Sequence, residues 1–211
     1  MTTSSVWAGA FGEAYTARNP SSCGEQDWLY RNRYGISRYE LNKAALAGLP
    51  RDLSVLEVGC NCGVQMQQLA RLGFANLTGV DVCGAALAKA RSALPSARFE
   101  EASALALPFK DKAFDLVFTS GVLIHMPPGN LNQAMDELHR VSRRYIWGFE
   151  YYAENHTAIH YRGQDGLLWK GDFSRMLARR FTDLRMAHWL LLKYVDGGGN
   201  EDAMYLMEKR Q

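Results

Sequence analysis

The chain has 211 residues, of which 47% are apolar and 22% charged, and its formal net charge is +2. This composition is typical of a globular domain that is large enough to bury a core, so we expect a single domain over residues 1–211. A charge this close to neutral gives no electrostatic reason to expect nucleic acid as a partner, and the apolar segments are too short for a membrane helix. The N-terminus also lacks the basic start and apolar run of a signal peptide, so a cytoplasmic location is expected.

The first 45 residues are rich in aromatic side chains and precede the first strand of the core. We interpret residues 1–45 as a lid segment that closes over a bound cofactor and excludes water. Within this lid, Tyr15 and Arg18 are assigned to the cofactor site. The alternative is that the same aromatic residues pack on the sheet or on another subunit; they are Phe11, Tyr15, Trp28, Tyr30 and Tyr34.

Residues 53–63, with the sequence LSVLEVGCNCG, combine a short apolar strand with a glycine turn from Gly59 to Gly63, and an amphipathic helical pattern follows at once. Such a turn lets a ligand lie against bare backbone while the amides of the helix N-terminus point at it. A second apolar run ends at Asp81, where a carboxylate can accept both hydroxyls of a ribose. The two features together predict a site for a nucleoside-containing cofactor.

The spacing of the glycines indicates which cofactor this is. A dinucleotide site reads G-x-G-x-x-G, because the pyrophosphate sits on the helix N-terminus. Here the spacing is G-x-x-x-G, and Glu57 two residues earlier would repel a pyrophosphate but suits an ammonium or sulfonium ligand. The pattern E-x-G-x-x-x-G followed by Asp81 resembles the cofactor site of the class I S-adenosylmethionine methyltransferases. A nicotinamide-dependent enzyme and a non-catalytic cofactor-binding module remain the alternatives.

The resemblance implies S-adenosylmethionine as the cofactor and a set of residues that contact it. Glu57 orients the ammonium group, Asp81 holds the ribose and Val82 covers the adenine. In many relatives an acid begins the loop D-A-x-x-L-P-F, whereas a serine hydroxyl takes its place here. Besides those three residues, the implied set contains Gly59, Cys60, Asn61, Gly63, Ser103, Ala104 and Ser120.

The cysteines raise the question of a metal. Three of the four lie in or near the predicted cofactor turn, at positions 60, 62 and 83. Zinc-binding cysteines are usually separated by about two to four residues, and a metal in this turn would block the cofactor. We therefore expect no metal, and we interpret these cysteines as small apolar residues of a reducing compartment.

Helical and strand patterns alternate after Asp81. Helices are predicted at 84–94, 131–142 and 172–180, and strands at 97–101, 114–119, 144–151, 184–194 and 203–208. Strands that alternate with helices indicate a mostly parallel, doubly wound sheet. The last two strands flank a glycine loop at 196–200 and form a hairpin, so the last strand enters antiparallel. The predicted fold is α/β, with a Rossmann-like, doubly wound, seven-stranded sheet and an antiparallel C-terminal hairpin.

Six residues at or beyond the ends of the predicted strands 114–119 and 144–151 are candidates for acceptor binding and catalysis. His125 could act as a general base or orient the acceptor, or it could be a hydrogen-bonded loop residue. Glu150, which is followed by Tyr151 and Tyr152, could hold a cationic acceptor, with rim packing as the alternative role of the two rings. We expect the acceptor pocket between this edge and the lid. Tyr161 and Arg162 could bind a carboxylate or phosphate, or Arg162 could simply be solvated.

Four separated motifs carry a narrower resemblance, which covers nearly the whole chain. They are WAGxFGxxYxxRN at residues 7–19, SGVLIH at 120–125, EYY at 150–152 and YRG at 161–163. Together they resemble the methyltransferase family associated with pseudaminic acid biosynthesis. The resemblance implies a small-molecule acceptor in a biosynthetic pathway, either an amine or guanidine such as an amino acid, or a sugar hydroxyl. We expect no nucleic acid and no membrane as partners, and we consider a homodimer as the assembly.

Overall fold

The protein is described by a computed structural model that covers residues 3–210. The chain divides into two compact units, Met1–Ser103 and Ala104–Gln211. The elements of the first unit are α1 (Thr3–Ala8), α2 (Ala10–Arg18), α3 (Cys23–Tyr34), α4 (Arg38–Ala45), β1 (Ser54–Val58), α5 (Val64–Arg71), β2 (Asn76–Asp81), α6 (Gly84–Ala93) and β3 (Arg98–Glu101).

The second unit contains the remaining strands and helices. They are β4 (Phe114–Ser120), a 3-10 helix (Leu123–His125), α7 (Pro128–Val141), β5 (Ser142–Tyr151), β6 (Thr157–Ala158), β7 (Trp169–Lys170), α8 (Phe173–Arg180), β8 (Leu184–Lys193) and β9 (Glu201–Lys209). Among the helices of residues 3–210, none has both the length and the apolar character required to cross a membrane.

Seven strands form one sheet in the order β3-β2-β1-β4-β5-β9-β8. The pairs β1–β2, β2–β3 and β4–β5 are parallel, whereas β9 is antiparallel to both β5 and β8. This arrangement confirms the predicted α/β fold with its antiparallel C-terminal hairpin. The pairing of β8 with β9 shifts register between Met186 and His188. The short strands β6 and β7 form a separate two-stranded sheet, which the sequence analysis did not predict.

The core of the first unit lies where apolar strands meet the helices that follow them. Val55 and Leu56 of β1 are fully buried, as are Met66 and Leu69 of α5. The two α5 residues lie three positions apart and therefore project from one side of the helix. Strands buried on both faces are typical of parallel sheets, and the run of apolar residues in β1 follows this pattern.

The segment predicted as an N-terminal lid is mostly helical between residues 3 and 45. Ser37 and Glu40 form a reciprocal capping box at the start of α4, and the Ser22 side chain accepts a hydrogen bond at the start of α3. Gly35 ends α3 in the left-handed conformation, with φ of 76°, where a side chain would be strained. Serine caps and a glycine stop therefore define α3 and α4 locally.

In the second unit, β5 is central and is buried from Tyr145 to Glu150. Gly148 of β5 lies opposite Tyr205 of β9, and a Cβ atom at this glycine would come within 2.1 Å of the Tyr205 ring. The absence of a side chain at position 148 therefore lets the Tyr205 ring lie flat across the strand. Pro128 begins α7, where its missing N–H group costs nothing.

Candidate functional site

The turn between β1 and α5 folds back onto the end of β2. Three of its residues have positive φ angles: Gly59 at 77°, Asn61 at 48° and Gly63 at 74°. The amides of Gly59 and Cys60 both donate to the Val80 carbonyl, over 2.8 and 2.9 Å. Glycine adopts this backbone conformation without strain, and asparagine tolerates it better than most residues. The glycine spacing found in the sequence is therefore required by the shape of the turn.

The cysteines of this turn are packing residues. A Cβ atom at Gly79 would lie 2.8 Å from the sulfur of Cys60, so the glycine in β2 makes room for that side chain. Burial raises the pKa of the Cys60 thiol well above its usual value, so the thiol stays protonated at neutral pH. Cys62 is also buried, and its sulfur lies 3.6 Å from the Pro20 carbonyl oxygen. Within residues 3–210, no group of three or more His, Cys, Asp or Glu side chains is arranged to hold a metal.

Glu57 has the features expected of a residue that binds a cationic ligand. Its side chain is only 2% exposed, and its Oε2 atom is buried without a hydrogen-bond donor among the described residues. Burial raises the pKa of this carboxyl well above its usual value, whereas the charge of Arg38 acts to lower it. An unpartnered buried carboxylate oxygen destabilises the protein, and a ligand ammonium would supply the missing donor. The residue therefore fits the amino group of S-adenosylmethionine.

Asp81 connects the end of β2 to two turns. Its Oδ2 accepts a hydrogen bond from the Asn61 amide over 2.8 Å, and its Oδ1 accepts one from the Cys83 amide over 2.9 Å. Burial raises the pKa of Asp81, while these amide contacts act in the opposite direction. Each carboxylate oxygen can accept a second hydrogen bond, so the two hydroxyls of a ribose can still be received.

The other residues assigned to the cofactor lie nearer the surface. Four of them are half-buried and lie at or just after the ends of β2, β3 and β4. They are Val82, Ser103, Ala104 and Ser120. In α2, the half-buried Tyr15 packs edge-on against Trp7 with ring centroids 5.1 Å apart. Trp7 makes the same type of contact with Phe11. Arg18 is exposed at the end of this helix.

His125 ends the 3-10 helix after β4 and is buried. Its Nδ1 lies 2.7 Å from the carbonyl oxygen of Leu167, so this nitrogen is the protonated donor. Burial lowers the pKa of His125 to about 4, and the imidazole is therefore neutral at pH 7. The ring lies 5.9 Å from the ring of Tyr161. The structure thus brings together two of the residues that the sequence analysis assigned to the acceptor.

Glu150 lies near the end of β5 and is buried in the protein interior. It is 1% exposed, and its two carboxylate oxygens accept hydrogen bonds from the amides of Val122 and Ile124, over 3.2 and 3.3 Å. Burial raises the pKa of Glu150 to about 7. The carboxylate therefore fixes the turn that carries His125. The cationic acceptor predicted for Glu150 stays a prediction.

Arg162 projects from the tip of the hairpin between β6 and β7. The backbone N–H and C=O groups of Tyr161 and Gln164 are hydrogen-bonded to each other across the turn, and Arg162 itself has a φ angle of 52°. The exposed Arg162 guanidinium lies 5.7 Å from the centroid of the Tyr161 ring. Tyr161 therefore contacts both Arg162 and His125. Of the two tyrosines after Glu150, Tyr152 packs edge-on against Trp189 at 6.0 Å, and Tyr151 is half-buried.

The sequence analysis missed a group of buried polar residues in the N-terminal helices. Arg38 and Asn42 are fully buried in α4, together with Leu41 and Ala45. These four positions form one helical stripe, since they are three or four residues apart. Two polar residues inside an otherwise apolar stripe are the sequence signal that could have revealed the group.

Comparison with known proteins agrees with this geometry. Residues 55–144 match the family described as a methyltransferase domain. An uncharacterized protein of Haemophilus influenzae is 31% identical over 132 residues, which cover 60% of this chain and 47% of that protein. An uncharacterized methyltransferase of Synechocystis is 37% identical over 87 residues, 41% of each chain. The chain therefore spans less than half the length of these curated relatives.

A solved structure resembles nearly the whole chain. The crystal structure of the PH0226 protein from Pyrococcus horikoshii superposes with a TM-score of 0.70 at 20% sequence identity, covering 93% of this chain and 99% of that one. This likeness establishes a shared fold. The sheet order is that of the class I methyltransferases. Residues 55–144 are therefore similar to methyltransferase domains.

Proposed function

We propose that this chain transfers a methyl group from S-adenosylmethionine to a small-molecule acceptor in a biosynthetic pathway. The observation that carries the proposal is the buried, unpartnered Oε2 of Glu57 beside a turn with three positive φ angles. When bound, S-adenosylmethionine supplies an electrophilic methyl group. Glu57 would hold its ammonium and Asp81 its ribose, so the protein contributes binding and orientation.

The positive charge of Arg162 on the β6–β7 hairpin supports an acceptor that carries an anionic group. Arg162 is exposed and lies beside Tyr161, so its guanidinium is placed to receive a carboxylate or phosphate. Glu150, the residue that would select a cationic acceptor, has both oxygens on backbone amides. We therefore propose that the acceptor is a hydroxyl group of an acidic sugar. This agrees with the resemblance to the family associated with pseudaminic acid biosynthesis. An amine or guanidine is the second candidate.

Binding and turnover experiments test the cofactor and the acceptor class of this proposal separately. Isothermal titration with S-adenosylhomocysteine measures cofactor binding, and tritium transfer from labelled S-adenosylmethionine to acidic sugars, neutral sugars, amino acids and guanidines measures the acceptor class. We expect binding, and transfer to acidic sugars that Arg162→Gln weakens. Failure to bind would overturn the function itself, whereas transfer to amines that is lost in Glu150→Gln would overturn only the acceptor class.

A further inference from the structure

The β6–β7 hairpin, residues 157–170, is held at its base by backbone hydrogen bonds and buried side chains. The Ile159 amide donates to the Leu168 carbonyl over 2.9 Å, and the Gly171 amide donates to the Tyr151 carbonyl over 3.2 Å. Three consecutive residues of the second arm are buried, namely Leu167, Leu168 and Trp169. The base of the hairpin therefore packs in the interior of the second unit, whereas its tip is exposed.

His125 connects this hairpin to the 3-10 helix after β4. Its Nδ1 donates a hydrogen bond to the Leu167 carbonyl over 2.7 Å, and its ring lies 5.9 Å from the ring of Tyr161. These two contacts reach both arms of the hairpin, since Tyr161 follows β6 and Leu167 precedes β7. His125 is 7% exposed, so this hydrogen bond is made away from water, where breaking it is costly.

The turn that carries His125 is itself fixed from β5. The carboxylate oxygens of Glu150 accept hydrogen bonds from the amides of Val122 and Ile124, over 3.2 and 3.3 Å. Leu123 and Ile124 of this turn are buried. Hydrogen bonds therefore run from β5 through the turn to the hairpin, and the imidazole is attached to a well-packed support.

The orientation of Arg162 depends on the hairpin. Arg162 lies at the exposed tip, and its guanidinium is 5.7 Å from the centroid of the Tyr161 ring, which also contacts His125. Backbone hydrogen bonds of 2.9 and 3.0 Å join Tyr161 and Gln164 across the tip. A guanidinium binds a carboxylate through two parallel hydrogen bonds, which requires a defined orientation of its plane. Movement of the hairpin would therefore displace the group that is proposed to receive the anion of the acceptor.

We propose that His125 is a positioning residue, which holds the β6–β7 hairpin in place so that Arg162 can receive the anionic group of the acceptor. This inference rests on the proposed function, since it assumes that Arg162 binds the acceptor. It also gives His125 a role other than that of a general base. Burial lowers the pKa of His125 to about 4, so the imidazole is a weak base for a hydroxyl proton at pH 7.

Amide hydrogen exchange measures whether His125 holds the hairpin. His125→Phe keeps a ring but removes the donor, whereas His125→Asn places an amide N–H near the position of Nδ1. We expect His125→Phe to speed exchange at the amides of Ile159 and Tyr161 about tenfold, as loss of one buried hydrogen bond would, and His125→Asn to stay within about threefold of the wild type. His139→Phe is the matched control, because His139 is hydrogen-bonded to Asp183 outside the hairpin. Unchanged exchange in His125→Phe would overturn the inference.

Turnover measurements test whether the hairpin contributes to acceptor binding. The probes are N-acetylneuraminic acid, glucuronic acid and galacturonic acid, each compared with its methyl ester, which keeps the hydroxyls and lacks the negative charge. We expect His125→Phe to raise KM for the acids about tenfold, while kcat and the KM for the esters change less than about threefold. His125→Asn should restore most of the KM for the acids, and His139→Phe should resemble the wild type.

A general base at position 125 predicts a different pattern. Neither phenylalanine nor the amide of asparagine can take up the proton of a hydroxyl. Both His125→Phe and His125→Asn would then lower kcat about a hundredfold or more, for acids and esters alike. That result would overturn the inference.

A double variant tests whether His125 acts through Arg162. Once Arg162→Gln has removed the guanidinium, adding His125→Phe should raise KM for the acids no further, because the group that it positions is already absent. Equal rises in KM with and without Arg162→Gln would show that His125 affects the acceptor by another route, and this would overturn the inference.

Thermal melting checks that the variants are folded. Should His125→Phe fail to fold, Tyr161→Ala replaces it, because it removes the ring contact with His125 from the half-buried side of the hairpin. It should speed exchange at the Ile159 amide and raise KM for the acids, and no change in either would overturn the inference. Exchange requires neither cofactor nor acceptor. A wild-type protein that binds no S-adenosylhomocysteine, or methylates none of the acids, would therefore contradict the proposed function, while the exchange rates still decide whether His125 holds the hairpin.

Discussion

The backbone amide of Asn61 donates a hydrogen bond to Oδ2 of Asp81 over 2.8 Å. The carboxylate predicted to hold the ribose therefore also fixes the glycine turn in its left-handed conformation. The other carboxylate oxygen of Asp81, Oδ1, accepts a hydrogen bond from the Cys83 amide at the start of α6. Because one side chain organises the ends of two strands, the geometry of the turn and the affinity for the cofactor should change together.

Replacing Asp81 tests this coupling. Asp81→Ala should cost about 1.5–3 kcal/mol of S-adenosylhomocysteine binding, roughly tenfold to a hundredfold in affinity, because it removes the acceptor of the ribose hydroxyls. Asp81→Asn keeps one side-chain oxygen in a similar position and should lose less affinity for S-adenosylhomocysteine. Calorimetric titration of both variants measures the effect. Unchanged affinity in Asp81→Ala would show that the ribose is held elsewhere.

Much of the fold could be predicted because its signals are local. The apolar run of β1 and the glycines of the turn are adjacent in the sequence, and the acid at the end of β2 follows one helix later. The predicted strand at 144–151 was short by two residues, since the structure begins β5 at Ser142. Polar Ser142 and Arg143 give no strand signal, and the pairing of Ser142 with Phe114 of β4 overrides this local preference.

The parts that sequence analysis missed depend on contacts between distant residues. The two-residue strands β6 and β7 pair across a loop of ten residues and have no periodicity of their own. The depth of Glu150 follows from hydrogen bonds to a turn 26 and 28 residues away. A carboxylate followed by two tyrosines gives the same sequence pattern whether it faces a ligand or the protein interior.

The buried Glu150 should make stability depend on pH. Its pKa is raised from 4.5 to about 7, so the folded state keeps a proton that the unfolded state loses above pH 4.5. The stability that this proton confers is complete below pH 4.5 and is lost as the pH rises to about 7, on the order of 3 kcal/mol in total. In Glu150→Gln, the unfolding free energy from urea titrations should fall less steeply over this range. Identical slopes would contradict the raised pKa.

A matched pair of glycine substitutions tests the packing of β5. A Cβ atom in Gly148→Ala would collide with the buried Tyr205 ring at 2.1 Å, whereas one at Gly129 in α7 meets nothing within 4 Å. We expect Gly148→Ala to destabilise the protein by about 1–3 kcal/mol or more, as overpacked cores do. Gly129→Ala should be neutral or slightly stabilising, because alanine favours a helix. Equal melting temperatures of Gly148→Ala and Gly129→Ala would contradict this packing.

Truncation tests whether the N-terminal segment is a lid. Trp7, Phe11 and Tyr15 contact one another, and the buried residues of α2 are Gly12 and Thr16. Deleting residues 1–20 therefore removes the ring cluster as a unit, and we expect the melting temperature to fall by less than about 5 °C. S-adenosylhomocysteine should bind more weakly and turnover should become very slow. A large fall in melting temperature would instead identify these rings as core residues.

The register shift in β8 affects how the protein behaves at high concentration. Within residues 3–210, β8 has a strand neighbour on one side, so its outer backbone could pair with the same strand of another molecule. The irregularity between Met186 and His188 interrupts the regular spacing that such pairing needs, and the strand carries the cations Arg185 and Lys193. An edge with an irregular register and charged side chains makes fibril-like stacking unfavourable, even though Met186 and Trp189 are exposed on this strand.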